Sequence, residues 1–273
     1  MTSRSRLLAL GAIVLWGGLA TLALELAALP PFLLTGIALV IGSLVGWRAL
    51  RARPPPPAAL ALGVYGLFGF HFFLFLALRN APPVEANLVN YLWPLLIVVL
   101  APALVPGIRP SLRHAAAAIM GFVGAALLIT AGAEVSGRAA PVGYLYALVS
   151  AFIWSTYSLM TRRFAHFPSA YVAWFCLVSG AAALACHFVF EPAYRPSATQ
   201  WPFIVAMGLG PMGLAFQLWD RAMKGGDPRV IGNLAYLTPL LSTLMLAAFA
   251  GQHLTATSLV AMAIILGAAW IGS

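Results

Sequence analysis

The chain has 273 residues, of which 62% are hydrophobic and only 8% are charged, and its formal net charge is +9. Soluble domains carry roughly 25% charged residues, so the composition excludes a soluble globular protein. The basic residues lie in short breaks between apolar runs and form no stripe, which argues against binding of nucleic acid. The sequence therefore predicts an integral membrane protein whose main contact is the lipid bilayer.

Ten apolar segments follow one another, each close to the roughly 20 residues that a membrane-spanning helix needs. They are continuous and do not alternate with polar residues, which favours helices over a β-barrel. The first segment also fits a secretory signal peptide, but it is long for one and has a counterpart later in the chain. We predict an all-α protein with transmembrane helices over residues 7–27, 31–48, 58–79, 84–104, 113–132, 141–161, 170–189, 200–220, 229–250 and 255–272.

The basic residues are distributed unevenly between the loops on the two sides of these segments. The loops are numbered from the N-terminus, so that loop 1 joins the first two segments. The odd-numbered loops hold Arg79, Arg138 and Arg195, whereas the N-terminal tail and the even-numbered loops hold the other 12 of the 15 Lys and Arg residues. Short loops rich in Lys and Arg remain in the cytoplasm. We therefore expect a multi-pass protein of the plasma membrane with both termini in the cytoplasm.

The second half of the chain repeats the first. Several proline and aromatic positions recur at one constant shift along the chain, and at a slightly smaller shift near the start of each half. These pairs are Pro83 and Pro228, Tyr91 and Tyr236, Pro94 and Pro239, and Trp16 and Trp154. Five segments per half, an odd number, give the halves opposite orientations, so we predict two inverted repeats, residues 1–136 and 137–273, around a central cavity.

Polar side chains in the fourth segment of each half are the first candidates for a substrate site, because polar groups are costly in lipid. Each set lies on one helical face and precedes a proline that removes a backbone hydrogen bond. The two sets are Asn87, Asn90 and Tyr91 before Pro94, and Asn233 and Tyr236 before Pro239. Interruptions at matching positions of two halves are typical of a binding site, although a kink that only shapes helix packing is the alternative.

Aromatic residues lie deeper in the membrane than an interfacial belt predicts. Trp16 and Trp154 are mid-segment, and Tyr157 and Ser158 follow on the Trp154 face. Rings of this kind suit a flat aromatic substrate, although each also fits ordinary helix packing. His71 is the one histidine deep in a segment, where it can bond a substrate carboxylate, carry a proton or bond a neighbouring helix.

Charged residues and catalytic motifs are missing from the middle of the segments. All six acidic residues lie at or near segment ends, which argues against a proton relay through a membrane carboxylate and against cationic substrates. The chain contains no H-E-x-x-H and no G-x-S-x-G sequence, so we expect neither an enzyme nor a cofactor or metal site. A neutral cavity for a zwitterionic small molecule fits best, and a channel remains open as an alternative.

Two motifs of each half resemble the drug/metabolite transporter superfamily, EamA type. The first helix has A-x-x-x-W from Ala12 to Trp16, with a looser match ending at Trp154, and the fourth helix of each half has an Asn-containing segment leading to Tyr-Leu-x-Pro-Leu-Leu. The resemblance covers essentially the whole chain and is most specific from Asn233 to Leu241. Many members carry Glu after a glycine equivalent to Gly251, where this chain has Gln252.

Within that superfamily the chain is most similar to the YddG-type exporters, through overall similarity and the run from Asn90 to Pro94. The resemblance implies export of aromatic amino acids, or similar flat zwitterions, across a bacterial inner membrane by alternating access. A facilitator is the simplest mechanism, and a proton-coupled exporter of other small metabolites or drugs is the alternative. A monomer would be sufficient, and the sequence leaves the oligomeric state open.

Overall fold

The computed structural model of the chain describes residues 3–131, 141–251 and 254–273. Helices make up this part of the chain, and no strand occurs within it. The predicted boundary between the halves and the residues Glu134, Arg138 and Gln252 lie outside the described ranges.

Nine helices of the described part are long and apolar enough to cross a membrane, and one further apolar helix has 17 residues. Their bounds lie close to those of the predicted segments. The helices are α1 (Ser3–Glu25), α2 (Pro31–Leu50), α3 (Pro57–Asn80), α4 (Pro83–Leu104), α5 (Leu112–Thr130), α6 (Pro141–Phe164), α7 (Ser169–Phe190), α8 (Trp201–Gly225), α9 (Pro228–Phe249) and the shorter α10 (Ala256–Gly272).

Proline marks the start of half of these helices. It is the first residue of α2, α3, α4, α6 and α9. The first turn of a helix has no intrahelical acceptor for its N–H groups, so a residue without an N–H is tolerated there. At α9 the Asp227 side chain also accepts a hydrogen bond from the Arg229 N–H, which caps the helix.

Interruptions at matching places in the two halves occur in the interior of four helices. Turns of π-helix occupy Tyr65–Gly69 in α3 and Gly210–Leu214 in α8, and the shift between them is the one that relates Pro83 to Pro228. The regular part of α4 breaks after Asn90, and that of α9 breaks after Ala235, at the same shift. Each break lies one turn before a proline, Pro94 or Pro239, whose ring clashes with the carbonyl at that position.

Each main contact between two helices is matched by a contact between their counterparts five helices along the chain, which we call the exchange rule. Helix α2 packs on α7, α5 on α10 and α4 on α9. The contact of α3 with α6 is matched by that of α8 with α1, and the contact of α4 with α6 by that of α9 with α1. Replacing every helix by the one five places along the chain therefore reproduces the main contacts.

The contact of α2 with α7 depends on two glycines. A Cβ atom added at Gly36 would lie 2.7 Å from Leu184 Cγ, and one at Gly180 would lie 2.9 Å from the Gly36 carbonyl oxygen. Small residues let helix backbones approach closely in membrane proteins. This pair gives a tight scaffold at the side of the bundle, and the described lining of the central cavity includes no residue of α2 or α7.

Large apolar side chains are exposed on the outside of almost every helix, among them Leu112, Phe188, Phe249 and Trp270. A soluble monomer rarely exposes apolar surface this extensively. The outer surface is therefore suited to the hydrocarbon of a bilayer.

Candidate functional site

A cavity of about 300 Å³ lies at the centre of the bundle, between α1, α3, α4, α6, α8 and α9. Six of the predicted site residues line it: Trp16, His71, Asn87, Asn90, Tyr91 and Trp154. From the middle of the bundle it extends toward the end where α1 and α3 finish and α4 begins, because Leu19, Leu74 and Asn87 lie along its wall. This is the side of the odd-numbered loops.

Four tryptophans from four helices meet at the inner end of this cavity. The ring centroid of Trp16 lies 5.7 Å from that of Trp154, 6.5 Å from Trp93 and 5.2 Å from Trp219. Trp154 and Trp219 are stacked with centroids 6.5 Å apart. We call Trp16, Trp93, Trp154 and Trp219 the tryptophan cluster; three of its members line the cavity, and Trp219 is buried behind them.

Two indole N–H groups of the tryptophan cluster are fixed by hydrogen bonds. Trp16 Nε1 donates to the Pro211 carbonyl oxygen at 3.1 Å, within the π-turn of α8. Trp219 Nε1 donates to Ser158 Oγ at 3.0 Å. Buried indoles normally find such a partner, and here the bonds hold the rings of α1 and α8 against neighbouring helices.

The polar side chains of the cavity wall come mainly from α4, with His71 from α3 and two hydroxyls from α9. The Ser150 hydroxyl of α6 donates to the Phe70 carbonyl oxygen at 3.0 Å and lies 3.3 Å from Asn90 Oδ1, which ties this wall to α6. None of the described residues that line the cavity is Asp, Glu, Lys or Arg. The polar groups that face a bound molecule are therefore neutral amides, hydroxyls and the His71 imidazole.

The hydrogen bond of His71 determines what its other ring nitrogen offers. His71 Nδ1 lies 2.6 Å from the Leu67 carbonyl oxygen, which accepts and cannot donate, so Nδ1 carries the hydrogen. In the neutral ring Nε2 is then an acceptor. Neutral His71 accordingly matches an ammonium group of a substrate, whereas the sequence suggests a carboxylate or a proton as its partner.

The other four predicted site residues do not line the cavity. Tyr157 is buried against Gly66, where an added Cβ would overlap the Tyr157 ring, and Ser158 accepts the bond from Trp219. Asn233 Nδ2 donates to the His114 carbonyl oxygen at 3.3 Å. Tyr236 is fully buried and packs against Gly121 of α5.

Several residues of the cavity wall were not predicted from the sequence. Trp93 stands in the Asn-Tyr-Leu-Trp-Pro run, in which the sequence predicts Asn90 and Tyr91 as a polar face before the kink at Pro94. Phe70 directly precedes His71, and Phe216 lies in a helix without a predicted site residue. Both rings line the cavity and contact Trp154, at 5.4 and 5.6 Å between centroids. Two further wall residues follow the break in α9, beyond the residues predicted there: Thr238 and Ser242.

Hydrogen bonds close the opposite side of the bundle, where the basic even-numbered loops lie. Arg162 Nη1 at the end of α6 donates to the carbonyl oxygens of Met223 and Gly226, both at 2.6 Å. Lys224 Nζ of α8 donates to the Phe167 carbonyl oxygen at 3.0 Å. The ends of α6 and α8 are thus joined, and the central cavity is open toward one side of the bundle and closed toward the other.

Long apolar helices around a one-sided cavity without charged side chains among its described lining residues define a polytopic membrane protein with a cavity of small-molecule size. The chain belongs to the EamA-like transporter family, which matches residues 4–130 and 141–273. It is therefore a member of a transporter family and not of a family of enzymes.

Three proteins similar in sequence to this chain are all named aromatic amino acid exporter YddG. The protein of Ancylobacter novellus is 43% identical over 99% of this chain and 97% of its own length. That of Escherichia coli is 25% identical over 89% and 88%, and that of Salmonella typhimurium is 28% identical over 60% and 58%. A crystal structure of a protein 43% identical in sequence matches with a TM-score of 0.94, covering 100% of this chain and 97% of the other.

Proposed function

We propose that this protein exports aromatic amino acids across a bacterial inner membrane by alternating access. The observation that carries the proposal is the central cavity, in which aromatic rings and neutral polar groups are combined without a charged side chain among the described lining residues. Its relatives named as aromatic amino acid exporters give the substrate class. A facilitator driven by the substrate gradient needs no carboxylate relay.

We further propose ten transmembrane helices arranged as two inverted repeats of five. The exchange rule among helix contacts supports this arrangement, as do the helix interruptions at matching positions of the two halves. Helix α10 has 17 residues, at the lower limit of the spanning range, and packs on α5. Inverted repeats of this kind place substrate near the bilayer midplane, and the tryptophan cluster lies in the middle of the bundle.

For the membrane orientation we propose cytoplasmic termini, because the even-numbered loops carry most of the Arg and Lys residues. The central cavity opens toward the other side. In this orientation the structure is an outward-facing state, ready to release a molecule away from the cytoplasm.

In the central cavity we propose that Trp16 and Trp154 hold the aromatic ring of the substrate. Asn87 and Asn90 would donate to its carboxylate, and neutral His71 would accept from its ammonium group through Nε2. Tyr91 lines the same wall. The four predicted residues outside the cavity are proposed to act at helix interfaces in this state: Tyr157, Ser158, Asn233 and Tyr236.

Uptake into liposomes tests the proposal. Purified protein in liposomes should take up labelled tryptophan and phenylalanine faster than protein-free liposomes, and an internal load of unlabelled tryptophan should accelerate that uptake. Acceleration by the load distinguishes a carrier from a channel, and single-channel conductance would indicate the channel instead. Absence of tryptophan and phenylalanine uptake would refute the proposed substrates.

The mode of coupling is tested with the same liposomes. A facilitator brings labelled tryptophan to equal concentrations on the two sides, with or without an imposed pH gradient. Accumulation above the outside concentration under a pH gradient would show that export is coupled to protons.

A further inference from the structure

A second, smaller pocket lies on the closed side of the bundle. Its volume is about 20 Å³, room for about one water molecule. It lies between the start of α3, the end of α6, the start of α7 and the end of α8. Five aromatic side chains contribute to its wall: Tyr157, Phe164, Phe167, Tyr171 and Phe175.

Two charged residues line this pocket. Lys224 Nζ lies 2.8 Å from Asp220 Oδ2, and both side chains are largely buried, at 14% and 2% exposure. Among the described residues that line this pocket or the central cavity, Asp220 and Lys224 are the two that carry a charge. The sequence places Asp220 near the end of its helix, and only the structure shows that its carboxylate is withdrawn from solvent.

Stability does not explain a pair in this position. Desolvation of two charges often outweighs their mutual attraction, so apolar residues of similar volume would serve the fold equally well or better. Ionisable residues within membrane helices are functional by default. A salt bridge that only closed the bundle would also need no aromatic wall around it.

The small pocket is separated from the central cavity by the tryptophan cluster. Trp154 of the cluster contacts Tyr157 of the pocket, with centroids 5.4 Å apart, and Trp219 directly precedes Asp220. Rotation of the cluster would join the two spaces into one path. That path runs from the basic loops, past the charged pair, to the neutral cavity.

We propose that Asp220 and Lys224 form a loading subsite for the two charged ends of an aromatic amino acid on the side of the basic loops. When this side opens, the substrate ammonium replaces Lys224 as the partner of Asp220, and the substrate carboxylate pairs with Lys224. Both exchanges conserve charge, because a zwitterion carries the same two groups as the pair. The substrate ring packs on the aromatic wall of the pocket.

The loading subsite rests on the proposed function and adds to it a recognition step on the side of the basic loops. Binding at the loading subsite uses full charges, whereas the central cavity offers neutral polar groups. Hydrogen bonds to charged groups are stronger than neutral ones. The molecule is therefore selected by its charges on the loading side and held more weakly on the side where it is released.

Competition by analogues that lack one charged end tests the loading subsite. Tryptamine has no carboxylate, and indole-3-propionate has no ammonium group. Each is titrated against the uptake of labelled tryptophan into liposomes. The measured quantity is the ratio of the inhibition constants of the analogue and of unlabelled tryptophan. In Asp220→Asn this ratio should fall about tenfold for indole-3-propionate, because the variant loses the charged hydrogen bond to the ammonium group that only tryptophan has. For Lys224→Gln, the same loss should appear against tryptamine instead.

Four further variants keep the test decisive. Asp220→Glu and Lys224→Arg should restore the wild-type order of competitors. The double variant Asp220→Asn/Lys224→Gln leaves no unpaired buried charge, so it should fold, and both preferences should fall in it. Arg79→Gln is the matched control: Arg79 is the counterpart of Lys224 in the first half and lines neither pocket, so the order of competitors should stay unchanged.

Two results overturn the loading subsite, and they differ from failure of the proposed function. If the variants slow uptake while every competitor keeps its relative strength, the pair only closes the bundle. If the double variant discriminates as the wild type does, the charges play no part in recognition. If the wild type transports no aromatic amino acid at all, the proposed function fails first and the subsite falls with it.

Discussion

Among single residues, Trp154 contacts rings from several helices around the central cavity. It meets Trp16, Phe70 and Phe216 at centroid distances of 5.7, 5.4 and 5.6 Å. Trp154→Ala removes both the stacking surface and the shape of the cavity, so we expect tryptophan uptake to fall at least about tenfold. Trp154→Phe, which keeps a ring, should lose less.

The control for Trp154 is Trp270→Ala. Trp270 is 79% exposed on the outer surface, where it faces lipid in the proposed arrangement. Uptake per molecule of reconstituted protein is the measurement. Equal losses in Trp154→Ala and Trp270→Ala would mean that the effect comes from removing any tryptophan and not from the cavity.

His71 permits a prediction about the polarity of the site. Because Nδ1 donates to Leu67, neutral His71 offers an acceptor through Nε2 and so favours an ammonium donor. His71→Leu should weaken competition by tryptamine more than competition by indole-3-propionate. The opposite order would indicate a protonated His71 that binds the carboxylate. Phe75→Leu, at a neighbouring ring 6.1 Å away, is the control and should alter both competitors equally.

At the scale of helices, one carboxylate holds three of them together. Glu191, at the end of α7, accepts from the backbone N–H groups of Phe32 and Leu33 at 2.9 and 3.1 Å. It also pairs with Arg79 of α3 at 3.4 Å and lies 3.0 Å from His187 Nδ1. It therefore caps α2 from outside that helix, which has no polar cap of its own.

We expect Glu191→Ala to lower the free energy of unfolding by about 1–2 kcal/mol, since it removes a helix cap and leaves charged and polar partners unpaired. Thermal unfolding in detergent, followed by tryptophan fluorescence, measures this loss. Glu25→Ala at an exposed site is the control and should unfold close to the wild-type temperature. A similar stability of both variants would show that the cap contributes nothing.

The same helices show which features a sequence can predict. Their bounds follow from hydropathy and proline, because a spanning helix needs a continuous apolar stretch and proline is tolerated at its start. The breaks in α4 and α9 follow from Pro94 and Pro239 in the same local way. The lining of the cavity does not, since it depends on the side of the bundle toward which the cavity opens.

A comparison of α4 with α9 shows how the lining of the cavity depends on the side that is open. Helix α4 begins on the open side, so Asn87, before its break, and Tyr91, at its break, face the central cavity. Helix α9 begins on the closed side, so Asn233, before its break, and Tyr236, at its break, lie among the helices there. The residues of α9 that reach the cavity follow the break, as Thr238 does. A sequence repeat identifies equivalent positions but not the depth of a one-sided cavity.

For the whole molecule, the asymmetry between the two faces is the main consequence of the fold. The helix contacts obey an exchange rule, yet the bonds of Arg162 and Lys224 close one face while the cavity opens at the other. In the proposed arrangement of inverted repeats, exchanging the halves would close the open face and open the closed one. A repeat structure that stands in one of two equivalent arrangements is what alternating access requires.

Labelling of single cysteines by a membrane-impermeant maleimide tests this arrangement in the membrane. Cys176 is buried, so Cys186→Ser gives a background of low reactivity. In intact cells Leu19→Cys, on the wall of the open cavity, should react from outside, and Thr161→Cys, buried at the closed pocket, should not. Arg53→Cys, in an exposed basic loop, should react only in inside-out vesicles. Reaction of Arg53→Cys in intact cells would reverse the proposed orientation, and equal reaction of Leu19→Cys and Thr161→Cys would contradict a one-sided cavity.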